Sequence, residues 1–184
     1  TIRVGTFADA NGSMETFNKV KKMTIYIGCA SNGSGRLQTY NANGIETTFI
    51  GTNLESTGSL ATFNKNRNTS VSLGTTREGN GLVETFNIDS VKTGFFGSAS
   101  DGNGLVQTYN KESTKTIVLG TTSGGNGVLQ TFSKSGRETA NIGTSATGNG
   151  LVQTFNEQEV LTAYVGTSQE GNGLLRTWNK EKKE

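Results

Sequence analysis

The sequence contains no histidine, no proline and only one cysteine, Cys29. Without histidine, the chain cannot build a Ser-His-Asp triad or a zinc site with histidine ligands. A single cysteine excludes a framework of intrachain disulfides. No apolar run reaches the roughly 18 residues that a transmembrane helix needs, so we expect no membrane span.

Charged and apolar residues are also sparse. Lys and Arg number 17, Asp and Glu number 15, and the two signs are interspersed to give a net charge of +2. A nucleic-acid groove needs clustered Lys and Arg, so we expect no nucleic-acid partner. Hydrophobic residues make up 31% of the chain, which predicts a thin core.

What the sequence does have is a repeat with a period of 23 residues that runs without a slip. Eight such repeats account for all 184 residues. We therefore expect one repetitive domain, 1–184, with no capping segment. Its repeats are 1–23, 24–46, 47–69, 70–92, 93–115, 116–138, 139–161 and 162–184.

Two columns of glycine and one of aromatic residues define the repeat. The first glycines are Gly5, Gly28, Gly51, Gly74, Gly97, Gly120, Gly143 and Gly166. The second glycines follow seven residues later, at Gly12, Gly35, Gly58, Gly81, Gly104, Gly127, Gly150 and Gly173. The aromatic residues are Phe17, Tyr40, Phe63, Phe86, Tyr109, Phe132, Phe155 and Trp178.

Each repeat reads as two short strands. Stretches such as "LVQTFN" are β-branched and aromatic, and Gly and Asn bound them. Alternation places an aliphatic residue and a threonine on one face, and the aromatic residue with Glu or Gln on the other. The second strand, as in "TIVLG", carries an apolar residue just before the first glycine. No segment has the apolar period of a helix.

Glycine is expected to shape the turns. The Asn-Gly dipeptide recurs, for example at 103–104 and 149–150, and reverses a chain tightly because both residues reach positive φ cheaply. The first glycine is expected to end the preceding strand, at a bulge or a corner where a side chain would clash. The other turn is polar and variable, which predicts exposure to solvent.

Modules too small to bury a core should stack on one another. We therefore predict an all-β fold, a β-solenoid or β-prism rod of eight two-strand modules, with equivalent side chains in ladders one strand spacing apart. Both faces of "LVQTF" carry apolar residues, so each strand requires two neighbours. Symmetric association supplies the second one. This favours an intertwined or side-by-side homotrimer, with the aromatic column packed between chains.

The chain begins and ends at equivalent points of the repeat. Stacked repeats normally need atypical terminal repeats to cover their open ends. We therefore expect either a segment of a longer array or a subunit that continues end to end into another copy.

The modules "GTSATGNGLVQTFN" and "GTTSGGNGVLQTFSKSGRETANIG" resemble the repeats of trimeric fibre shafts. Such shafts occur in phage tail fibres and in related surface fibres and adhesins of bacteria. The resemblance covers all 184 residues. It implies an extracellular, cell-surface or virion-surface shaft that extends an adhesive or receptor-binding tip, with a glycan or host-surface ligand at that tip.

No constellation of residues indicates catalysis, a metal or a cofactor. Glu15 and Glu84 occupy the same column three repeats apart, so they are not a glycosidase pair. Asp89 and Asp101 lack the regular spacing of calcium-binding solenoids. Gly148 and Gly150 precede no helix that could present its N-terminus to a phosphate. We expect a structural protein rather than an enzyme.

One alternative from a different class stays open. A monomeric β-solenoid could act as a binding module that presents threonine, asparagine and aromatic ladders to glycans, a cell wall or ice. Aromatic rings stack on sugars, although packing between chains is the favoured role for this column. The mass of the protein in solution separates the two hypotheses.

Overall fold

The computed structural model describes residues 1–6, 11–53 and 55–179. The chain divides into two compact units, Thr1–Val91 and Lys92–Glu184, and each contains eight strands. Residues 180–184, on which the expected continuation into a further repeat depends, lie outside the described residues.

The strands follow the repeat, with one strand of six residues and one of seven from most repeats. The first unit contains β1 (Ile2–Thr6), β2 (Gly12–Phe17), β3 (Met23–Cys29), β4 (Gly35–Tyr40), β5 (Glu46–Thr52), β6 (Gly58–Phe63), β7 (Thr69–Thr75) and β8 (Gly81–Phe86). The second contains β9 (Lys92–Ser98), β10 (Gly104–Tyr109), β11 (Lys115–Thr121), β12 (Gly127–Phe132), β13 (Glu138–Thr144), β14 (Gly150–Phe155), β15 (Leu161–Thr167) and β16 (Gly173–Thr177). The described residues form no helix, so the all-β prediction is confirmed.

Each unit is an antiparallel meander. In the first unit the strand order is β1 to β8, and in the second it is β9 to β16. A solenoid would lay each strand on its equivalent 23 residues later. Here the equivalent strand lies two strands away, because the other strand of the repeat pairs between them. The ladders of identical side chains therefore have twice the expected spacing.

Three-residue loops produce this meander. Between β9 and β10, the Ala99 N–H donates to the Asn103 carbonyl at 2.8 Å, and the Gly102 N–H donates to the Ala99 carbonyl at 2.9 Å. Gly102 has a φ of 84°. This is a type I turn closed by a left-handed residue, a common hairpin connection. Both connections of the repeat have this geometry.

The glycines expected to turn the chain lie within strands instead. Gly104 opens β10, and the positive φ belongs to Gly102, because this loop needs a left-handed residue only at its last position. Gly120 is the penultimate residue of β11 rather than its end. The bulge expected beside this glycine lies at the other end of the strand, between Thr108 and Tyr109.

Neither sheet has a second layer. Within each unit, the described strands contact only their neighbours in sequence. Val118, with 7% of its surface exposed, is the one buried apolar residue among the described residues. The apolar side chains therefore pack beside one another along the sheet surface, as the low hydrophobic content predicts.

Candidate functional site

One face of the sheet carries a continuous row of apolar side chains. Cross-strand partners project to the same side of a sheet, and Val106 lies opposite Phe96 on one neighbour and Leu119 on the other. We call this surface the aliphatic face. Its row in the first unit is Val4, Met14, Ile27, Leu37, Ile50, Leu60, Leu73 and Val83. In the second unit it is Phe96, Val106, Leu119, Leu129, Ile142, Val152, Val165 and Leu175.

This row is exposed to an unusual degree. Its members on the seven-residue strands and at both chain-terminal strands expose between 38% and 74% of their surface. Leu73 exposes 49% and Ile142 exposes 46%. Single exposed apolar residues are ordinary on proteins, but a contiguous row of them marks an interaction surface.

Paired hydroxyl groups flank the apolar row. Thr131 and Thr139 place their Oγ1 atoms 2.8 Å apart, and Thr108 and Thr116 do the same. The bulge makes this contact, because Thr116 is the extra residue in the pairing of β10 with β11. In each such pair, the hydroxyl groups bond to one another.

Charge is distributed unequally between the two faces. In the sixteen described strands, every charged residue projects to the face opposite the aliphatic row, since it alternates with or pairs across from residues of that face. These residues are Arg3, Glu15, Arg36, Glu46, Glu84, Lys92, Lys115, Glu138 and Arg176. The strand positions of the aliphatic face are consequently free of charge.

The opposite surface, which we call the aromatic face, carries the aromatic column. Its rings close the six-residue strands and are half-buried, and Trp178 directly follows β16. Cations cover several of the rings. Lys115 Nζ lies 4.9 Å from the Phe132 ring centroid, and Lys92 Nζ lies 6.0 Å from that of Tyr109. These contacts stabilise a ring beside its neighbouring strand within one chain.

Polar side chains concentrate on the aromatic face of the first unit. Glu15 is 6% exposed and forms an ion pair with Arg3 at 3.5 Å. Gln38 donates to Glu46 Oε1 at 2.7 Å. Burial raises the pKa of the Tyr40 hydroxyl above its usual value, and the nearby Glu46 carboxylate raises it further. The arrangement holds a packed polar network rather than a pair of groups set apart for catalysis.

The first glycines allow the strands and rings of this face to approach closely. A Cβ atom on Gly166 would meet the Gly150 carbonyl oxygen at 2.7 Å and the Tyr164 hydroxyl at 2.7 Å. The Tyr164 ring therefore lies across Gly166, and its hydroxyl donates to the Thr167 carbonyl at 3.2 Å. Tyr26 lies across Gly28 in the same way and donates to Cys29 at 2.7 Å. The expected clash at this column is present at Gly28 and Gly166, although its setting is a strand and not a corner.

Asparagine side chains link successive turns along both sheet edges. Asn126 Nδ2 donates to the Ser145 carbonyl at 3.2 Å, and Asn103 Nδ2 donates to the Thr122 carbonyl at 3.1 Å. On the other edge, Asn18 Nδ2 donates to the Ala42 carbonyl at 3.1 Å. Asn-Gly is therefore a structural element, in which asparagine joins neighbouring turns and glycine opens the strand.

The described residues offer few other ligand sites. No three Cys, Asp or Glu side chains among them form a group that could hold a metal ion. In this part of the chain, no helix has the length and hydrophobicity needed to cross a membrane. No family model matches the chain, and no curated protein matches it either.

The sequence prediction singled out the aromatic column and overlooked the aliphatic face as a surface. The structure places the aromatic residues on one face and leaves the aliphatic row on the other. A signal for this difference was present in the sequence, since the strand charges all share the alternation of the aromatic residues.

Proposed function

We propose that this protein is a structural, self-associating shaft segment, and that three copies form a β-prism from their sheets. Such a shaft extends an adhesive or receptor-binding tip away from a virion or a cell surface. Its role is mechanical, since a ladder of backbone hydrogen bonds and repeated side chains resists bending and proteolysis. An extracellular location accords with this role.

The observation that carries the proposal is a repetitive sheet with no second layer. A single sheet that exposes a row of large apolar side chains leaves hydrophobic surface in water, at about 25 cal/mol for each Å² of apolar surface. Within each unit, the described strands supply no layer that would cover it. Association between copies removes this surface from water, and closed symmetry does so with one sequence.

Mass in solution tests the proposal. Multi-angle light scattering of the purified chain should give about three times 19.4 kDa, as threefold closed symmetry requires. A mass of one chain at every concentration would remove the self-associating shaft, and a stable mass of two chains would remove the three-sided prism.

The residues also support a weaker candidate, a monomeric module that binds glycans, a cell wall or ice. The observation in its favour is the regular array of hydroxyl and aromatic groups on the two faces. A folded, monomeric wild type that retains binding to such a surface would favour this function.

A further inference from the structure

We propose that the aliphatic face is the surface on which a second copy of this chain packs, with aliphatic face against aliphatic face. The inference rests on the proposed self-association and adds the residues that perform it. It differs from the sequence prediction, which assigned contacts between chains to the aromatic column.

The first argument is the contrast between the two faces in what already covers them. On the aromatic face, rings are half-buried, Lys115 lies over Phe132, and Glu15 is almost fully buried. On the aliphatic face, Leu73 and Ile142 keep about half of their surface in water. The hydrophobic surface still available for burial is therefore concentrated on the aliphatic face.

The second argument is charge. An anionic lipid surface or a nucleic acid is recognised through Lys and Arg, and the strand positions of the aliphatic face carry neither. A charge-free surface has no repulsion to overcome when it meets an identical surface. Bringing two copies of the aromatic face together would instead bury like charges, such as two Lys115 side chains.

The third argument concerns the hydroxyl groups. A glycan or an ordered water layer needs free donors and acceptors on the protein. On this face, pairs such as Thr131 with Thr139 and Thr154 with Thr162 already bond to each other, at 2.8 and 2.9 Å. Paired hydroxyl groups can enter a dry contact between sheets without leaving an unsatisfied donor.

The fourth argument is area. Strands spaced about 4.8 Å apart, with about 3.3 Å per residue, give eight strands of five paired residues a face of roughly 600 Å². Two such faces in contact bury about 1,200 Å², which is the lower bound for a specific, stable interface. One unit therefore reaches the area required, without any contribution from the other.

Paired variants on the two faces of the same strands test the inference. Leu73→Lys with Ile142→Lys places two charges on the aliphatic face. Ser72→Lys with Asn141→Lys places the same charges one residue away, on the aromatic face. In sedimentation velocity, we expect the first variant to lose self-association and sediment as a single chain. The second should keep the mass of the wild type, and both should keep its circular dichroism.

A second substitution guards against loss of folding. Leu73→Thr with Ile142→Thr introduces the residue that this face already carries, and threonine suits a strand. We expect a dissociation constant at least tenfold higher than that of the wild type. If the wild type assembles and neither aliphatic-face variant changes its mass, the interface lies elsewhere while the shaft proposal stands. If the wild type never assembles, both proposals fail.

Discussion

Asn53 holds the turn in which Ser56 adopts a left-handed conformation. Asn53 Oδ1 accepts backbone hydrogen bonds from Glu55 and Thr57, both at 3.0 Å, and Ser56 has a φ of 62°. The same relationship recurs wherever a described residue other than glycine has positive φ, since asparagine stands three positions before it. These pairs are Asn18 with Lys21, Asn53 with Ser56, Asn64 with Arg67, Asn87 with Ser90, Asn110 with Ser113 and Asn156 with Glu159.

Glycine at the left-handed position removes the need for asparagine. Ala99 precedes Gly102, Thr122 precedes Gly125, and Ser133 replaces the usual asparagine where Gly136 follows. A side chain in the left-handed region costs about 1–2 kcal/mol. The asparagine hydrogen bonds, at about 0.5–1.5 kcal/mol each, offset that strain.

This relationship predicts that one substitution restores what another removes. Asn53→Ala should lower the free energy of unfolding by about 1 kcal/mol, through the loss of two hydrogen bonds. Ser56→Gly should offset that loss, because glycine carries no left-handed penalty. The double variant should melt in urea within a few tenths of a kcal/mol of the wild type. A double variant as unstable as Asn53→Ala would contradict the compensation.

The first glycine column predicts a difference between two alanine substitutions. A Cβ atom on Gly120 would collide with the Gly104 carbonyl oxygen, whereas one on Gly5 would meet nothing within 4 Å. Gly120→Ala should therefore lower stability by about 1–3 kcal/mol, the usual cost of overpacking. Gly5→Ala is the matched control, and its effect should stay within about 0.5 kcal/mol. Equal effects in thermal unfolding would show that close strand approach is not the reason for glycine.

The aromatic column predicts a loss of stability without dissociation. Phe132 is half-buried beneath Lys115, so Phe132→Ala should lower the free energy of unfolding by about 2 kcal/mol, roughly half the effect of a fully buried ring. The mass in light scattering should equal that of the wild type, because the ring packs within its own chain. Dissociation to monomers with unchanged stability would instead return the interchain contact to the aromatic residues.

The threonine pairs predict that two substitutions are milder than one. Thr131→Val leaves the Thr139 hydroxyl without its side-chain partner and should lower stability by about 0.5–1 kcal/mol. Replacing both threonines with valine removes donor and acceptor together. That double variant should be close to neutral in unfolding and should associate more tightly. A double variant that loses twice as much stability as the single one would refute the pairing argument.

The strands and their two faces could be predicted from the sequence, but their neighbours could not. Glu15 and Phe17 alternate with Met14 and Thr16, and the structure puts them on opposite faces. A period of 23 with two strands fits both a solenoid and a meander. Loop length decides between them, since strands of six and seven residues leave ten of 23 for two connections. Connections that short join antiparallel neighbours, whereas parallel stacking needs longer crossovers.

The free surface was harder to predict, because alternation does not say which face is already packed. Phe132 and Val128 look as ready for a partner as Leu129 does. The packing of the aromatic face depends on Lys115 reaching across to a ring and on glycines such as Gly143, where a Cβ atom would meet the Gly127 carbonyl oxygen at 2.5 Å. These contacts arise only once the neighbouring strand is known.

The meander also governs how the chain acquires its structure. Val118 faces Gln107 on one side and Gln130 on the other, so its partners lie 11 and 12 positions away along the chain. Each sheet contact within a unit is of this local kind, which gives a low contact order and fast formation despite the all-β content. Any hairpin can serve as the nucleus, and growth proceeds strand by strand from it. A chain emerging from the ribosome can therefore order each repeat as soon as the next 23 residues appear, without waiting for its far end.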